Sequence, residues 1–234
     1  MNGLLESLEL LNNISDFNNV NEVKEIALKA FSNCPLCLEA ASIYAKTLTS
    51  EEDKFTFLKK AVDDAQKDIE ESDTVDANTM YSLMRGYFEY GVMAYSFGKY
   101  KESLFYFERL KEMDEKDDYK AGYRLLSLYA YFELNEKFDE LYSQLCADTD
   151  DYSKLKRDFP KMLIAYKAND FETVKKTIKD IKEDNPYILK IMKEEISEDV
   201  ENMEIKESLT VLRNNAFIIN GCMNIIAYIR GLDD

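Results

Sequence analysis

Tyr87-Phe88-Glu89-Tyr90-Gly91-Val92-Met93-Ala94-Tyr95-Ser96-Phe97-Gly98-Lys99-Tyr100-Lys101-Glu102-Ser103-Leu104-Phe105-Tyr106-Phe107 decides the fold. It reads as a helix, a tight glycine turn and a second helix. Tyr87, Tyr90, Gly91 and Ala94 recur at spacings of three and four, which places them on one helical face. Gly98 supplies the turn, and Ser103 and Phe107 look back from the second helix. Gly91 and Ser103 let the two backbones approach, while Tyr87 and Phe107 fill the space alongside.

The same periodicity runs outward in both directions. Val23, Ile26, Ala27, Ala30 and Phe31 make one apolar stripe, and Phe55, Leu58, Ala61, Val62 and Ala65 make another. Polar breaks separate the stripes at Asn12 to Asn19, Ser32 to Pro35, Thr49-Ser50, Ser72 to Asn78, Asp114 to Asp118, Asp148 to Ser153 and Glu183 to Pro186. Ser50 followed by Glu51, Glu52 and Asp53 is a cap with acids in the first turn, so a helix is expected over about 51–71. Only 7 Gly and 3 Pro serve 234 residues, too few for a β-rich chain. The expected class is all-α.

The 87–107 stretch resembles a tetratricopeptide repeat: Tyr87, the Tyr90-Gly91 pair, Ala94, Gly98, Tyr100, Ser103 and Phe107 stand where that family wants its large, small and turn residues. Two weaker copies follow, with Phe138 and Phe171 as the turn aromatics, 38 and 33 residues apart. Asn135-Glu136-Lys137 and Asn169-Asp170 replace the glycine turn, since Asn tolerates the left-handed conformation. The resemblance implies a right-handed superhelical solenoid of antiparallel helix pairs. Residues 1–78 would be degenerate repeats or a cap, 79–190 the repeats and 191–234 closing helices, all within one continuous domain. The tail, Asn185-Pro186-Tyr187-Ile188-Leu189 and Glu207 to Ile229, resembles the closing segment of some bacterial members of the family.

Composition narrows the function. Hydrophobic residues make up 46% and charged residues 32%, the balance of a globular chain. The net charge of −16 argues against nucleic acid, whose phosphates need clustered cations. Residues 1–78 carry 16 acidic and 7 basic side chains, which read first as a solvated face and second as a docking surface for a basic partner. The N-terminus lacks the pattern of a secretory signal and no apolar run has the length of a membrane span, so a cytoplasmic location with reduced thiols is expected.

The familiar catalytic chemistries are missing. His is absent altogether, which removes the commonest general base, the Ser-His-Asp arrangement and His-based metal triads. No glycine-rich nucleotide loop occurs. Cys34-Pro35-Leu36-Cys37 reads first as core or loop thiols, then as a redox pair, and last as half of a metal site. Asp148-Thr149-Asp150-Asp151 begins like a calcium loop but has Ser153 for the turn glycine and Phe159 for the closing acid. The acid pairs Asp63-Asp64 and Glu194-Glu195 point to different helical faces and read as solvated. No metal, cofactor or catalytic residue is expected.

What remains is binding. In the family that this chain resembles, the residues between the packing positions of each first helix look into a concave groove. That projection selects Arg85, Phe88, Val92 and Tyr95, then Tyr123, Leu126, Ala130 and Glu133, then Lys156, Phe159, Leu163 and Tyr166. The Lys and Asn set with which some members clamp a terminal carboxylate is not among them. The expected function is a non-catalytic scaffold or adaptor that takes a protein or peptide segment. A self-assembling subunit is the second reading, and an enzyme with an unfamiliar carboxylate, Tyr or Cys site the third.

Overall fold

The computed structural model describes residues 2–12, 14, 19–147, 153–196, 202–222 and 224–232; among them are thirteen helices and no strand. The chain forms two compact units, Met1–Ala121 and Gly122–Asp234. The first holds α1 (Asn2–Leu11), α2 (Val20–Asn33), α3 (Leu38–Thr47), α4 (Glu51–Glu70), α5 (Ala77–Ser96) and α6 (Tyr100–Met113). The second holds α7 (Ala121–Phe132) apart from its first residue, and α8 (Asn135–Ala147), α9 (Lys154–Lys167), α10 (Phe171–Asp184), α11 (Tyr187–Met192), α12 (Met203–Gly221) and α13 (Ile225–Arg230). No described helix is long and apolar enough to cross a membrane.

Side-chain caps set the starts. Ser50 Oγ accepts the Asp53 amide at 3.2 Å, ahead of the three acids that open α4. Asp76 opens α5 by accepting the amides of Asn78 and Thr79 at 2.9 and 3.1 Å, and Asp170 opens α10 through Thr173.

In the first unit each helix packs on the next, and alternate helices also touch: α1 on α3 and α3 on α5. Leu38, Leu58, Tyr90, Phe107 and Leu110 have no exposure and fill the space between the later members. α3 and α4 both pack against α5, so contacts run across the boundary suggested near residue 78. Two glycines on α5 permit the packing on opposite sides. A Cβ on Gly86 would run into Leu38 of α3, and one on Gly91 would stand 2.9 Å from Cε1 of Phe107 in α6. Ser103 Oγ donates to the Gly91 carbonyl at 2.9 Å, so these backbones do meet at the expected small residues.

In the second unit α9 pairs with α10 and also packs on α8 and α12, while α11 packs on α12 and α13. Asn185 ties the tail to the rest: buried, it donates from Nδ2 to the Glu204 carbonyl at 3.0 Å and accepts the Tyr187 amide and the Ser208 hydroxyl. An unpaired amide there would be costly, which gives the Asn-Pro step a structural reason.

Three inter-helix turns share one geometry. The amides of Lys99, Leu134 and Asp170 each reach back to the carbonyls of Ala94, Tyr129 and Ala165 at 2.9 Å, the six-to-one bond of a Schellman turn. The residue before each donor is left-handed: Gly98 at φ 72°, Glu133 at φ 58° and Asn169 at φ 59°. Asn169 takes the place of glycine, whereas Asn135 does not; it begins α8. The spacings of these turns are 35 and 36 residues, so the aromatic Phe138 does not match Tyr100. It matches Ser103, three residues later, and is buried.

Candidate functional site

The corrected turn register changes the groove projection. Counted from Gly98 and Asn169, the set Arg85, Phe88, Val92 and Tyr95 corresponds to Lys156, Phe159, Leu163 and Tyr166 at a constant offset of 71 residues. The middle set is three residues out. Leu126 matches Gly91, a helix-packing position, and is fully buried; Glu133 matches Gly98 and is the left-handed turn residue itself. In register the α7 members are Tyr123, Ser127 and Ala130, with Lys120 just before the helix.

Burial then separates the two units. In the second, Phe159 and Leu163 have no exposure, nor has Ala130. Here α12 packs on α9, and Ser153 Oγ, at the α9 cap, donates to Glu207 Oε1 at 2.5 Å. Tyr166 is half-buried against Phe171 and Tyr228, with ring centroids 5.9 and 5.6 Å away. Lys156 holds its ammonium 5.5 Å from the Tyr123 ring, and Glu133 pairs with Lys167 at 2.8 Å. Leu126, Phe159 and Leu163 are therefore core residues, because the closing helices and the turn register bury positions that an open repeat would expose. They leave the site.

In the first unit all four members of the α5 set stay partly exposed. They lie at i, i+3, i+7 and i+10, one stripe along the helix. Phe88 packs on Tyr119 at 5.4 Å and Tyr95 on Tyr100 at 5.8 Å, so neighbours hold the orientation of both rings. Arg85 donates to Glu89 Oε1 at 2.9 Å, and Lys46 from α3 donates to Glu89 Oε2 at 2.7 Å. Burial works to raise the Glu89 carboxyl; the hydrogen bond and charge of Lys46, with Arg85 beside it, outweigh burial and hold the group below its ordinary value. The carboxylate thus stays charged at neutral pH and fixes Arg85 at the head of the stripe. Sequence reasoning missed Glu89 and Lys46, which are 43 positions apart.

A second feature of this unit is a tyrosine cluster. Tyr106 OH donates to Asp63 at 2.6 Å, and Tyr90 OH donates to Glu102, with the two rings 4.5 Å apart. Burial, then the carboxylate partners, push both phenols far up, so they stay protonated and serve as donors. Tyr142 and Asp158 repeat the arrangement in the second unit. The acid pairs are engaged singly: Asp63 and Asp64 with Lys59 and Lys60, Glu194 with Arg230.

Cys37 begins α3 with no exposure, and burial pushes its thiol up to about 11. Iodoacetamide at neutral pH should therefore label exposed Cys146 well before Cys37, as peptide mass spectrometry over time will read; equal rates would mean that the α3 start opens readily. No group of three or more Cys, Asp and Glu among the described residues could hold a metal ion. The Asp148–Asp151 run lies outside the described residues.

No family model matches this chain, and neither the curated proteins nor the solved structures yield a match.

Proposed function

We propose that this chain is a non-catalytic, tetratricopeptide-like binding module, a right-handed solenoid of helix pairs, whose α5 stripe takes a protein or peptide segment. The observation that carries the reading is the stripe Arg85, Phe88, Val92 and Tyr95, half-exposed and oriented by its neighbours while the equivalent α9 positions Phe159 and Leu163 are buried. Rigid aromatic anchors beside an oriented guanidinium are what interface hot spots are made of. The pairwise packing of α1 to α6, with alternate helices in contact, supports the solenoid, and the three equivalent turns support the repeat.

The test replaces the two stripe residues with the fewest core duties. Val92→Glu with Tyr95→Ala should weaken a captured partner at least tenfold, about 1.4 kcal/mol, with the helical circular dichroism unchanged. The comparison pair is Lys101→Ala with Asp68→Ala, both exposed; Glu102 is unsuitable because it accepts the Tyr90 hydroxyl. Full binding by the stripe variant would end the proposal. A mass that rises with concentration in light scattering, without any partner, would favour self-assembly instead.

A further inference from the structure

The second unit carries a feature at odds with the charge of the chain. A cleft of about 430 Å³ opens between α10, α11 and α13. Ile178, Leu189, Ile229 and Leu232 form its apolar lining, with Pro186 at one end. Among the described residues, Lys175, Lys179, Lys182, Lys190 and Lys193 stand around them with one acid, Glu195. A chain of net charge −16 thus has a cleft whose described lining residues carry a charge of +4.

We propose that this cleft docks an acidic, amphipathic peptide segment of a partner protein. The α10 lysines fall at i, i+4 and i+7, so they line one side of the cleft over about 10 Å at 1.5 Å per residue. Lys190 and Lys193 line another side. Charges spread over that length complement several carboxylates on one segment; a ligand with a single acid group would leave most of them unanswered. The apolar lining accepts the segment's aliphatic or aromatic side chains, and the volume suits a few such anchors. Nucleic acid is disfavoured by the apolar lining, which a phosphate backbone cannot use. Two of the lysines have long ion pairs among the described residues: Glu183 lies 3.9 Å from Lys179, and Glu195 lies 3.9 Å from Lys193. This site shares no residue with the α5 stripe, and its test does not depend on that reading.

A phage-displayed random dodecapeptide library, panned on the full chain and counter-selected on Lys179→Glu with Lys182→Glu, tests the proposal. Enriched peptides should carry two or more Asp or Glu beside Leu, Ile or Phe. A fluorescein-labelled copy of one should bind the wild type, lose at least tenfold in affinity on the double charge reversal, and weaken steeply with salt. Leu232→Asp, at the chain's edge, provides a second variant if the charge reversal disturbs the helical signal, with the same loss expected. Failure to enrich any peptide, enrichment of peptides without acids, or equal binding by both variants would overturn it. So would saturable binding of decanoate, or of phosphatidylglycerol vesicles, that Leu232→Asp abolishes while acidic peptides do not compete.

Discussion

Gly91→Leu is expected to lower the thermal midpoint by about 6–12 °C. A Cβ there already stands 2.9 Å from Cε1 and 3.1 Å from Cδ1 of Phe107, so even alanine requires the ring to give way. Leucine adds three more carbons at a point where Ser103 is hydrogen-bonded to the Gly91 carbonyl and Phe107 has no exposure. Modest overpacking costs about 1–3 kcal/mol, and the upper end applies where both neighbours are locked. At roughly 2–4 °C per kcal/mol for a chain of this size, the shift follows. Phe107→Ala added to Gly91→Leu should return part of the loss, because the cavity of one mutation receives the side chain of the other. Differential scanning calorimetry on the four proteins gives the cycle; an unchanged midpoint for Gly91→Leu would mean that α5 and α6 do not approach here.

The residues that made the 87–107 hairpin legible are those whose role is local. Gly98 marks its own turn because only glycine takes a positive φ at no cost, and Gly91 marks a close approach because nothing larger fits. The middle turn hid itself. Glu133 adopts φ 58° there, a conformation costing about 1–2 kcal/mol for such a residue, and the Schellman bond from Leu134 holds it in place. With no Gly or Asn to flag that position, a register set by Phe138 runs three residues too far and places Leu126 and Glu133 in the groove. The burial of Phe159 and Leu163 was illegible for another reason. It accompanies α12 packing on α9, an association between segments distant in sequence, and helical periodicity says which face is apolar without saying which element covers it. The Glu89 cluster is of the same kind, since Lys46 reaches it from another helix.

That cluster yields the second large effect: Lys46→Met with Arg85→Met should cost about 2 kcal/mol at neutral pH. Glu89 is 8% exposed, so with neither cation beside it the carboxylate would be buried without compensation. Breaking a fully buried pair costs about 3–5 kcal/mol. Lys46 and Arg85 keep 57% and 40% of their side chains in water, so screening reduces what their loss removes. The pH dependence carries the distinguishing sign. In the wild type the Glu89 carboxyl sits lower folded than unfolded, so its contribution is present above the unfolded value and is lost as pH falls through the folded one. In the double variant burial, the largest influence on this group, is opposed only by the Ser42 hydroxyl and raises the folded value, so the penalty is present towards neutral pH and disappears as the carboxyl takes up a proton. The gap in stability between the two proteins should therefore narrow as pH falls from neutral, first as the variant's carboxyl takes up a proton and then, below the unfolded value of about 4.3, as the wild type loses its own contribution; Glu89→Gln added to the double variant should narrow it at neutral pH as well. Urea denaturation at several pH values measures the gap, and a gap that stays constant or widens towards acid would show that Glu89 is not held charged by these two cations.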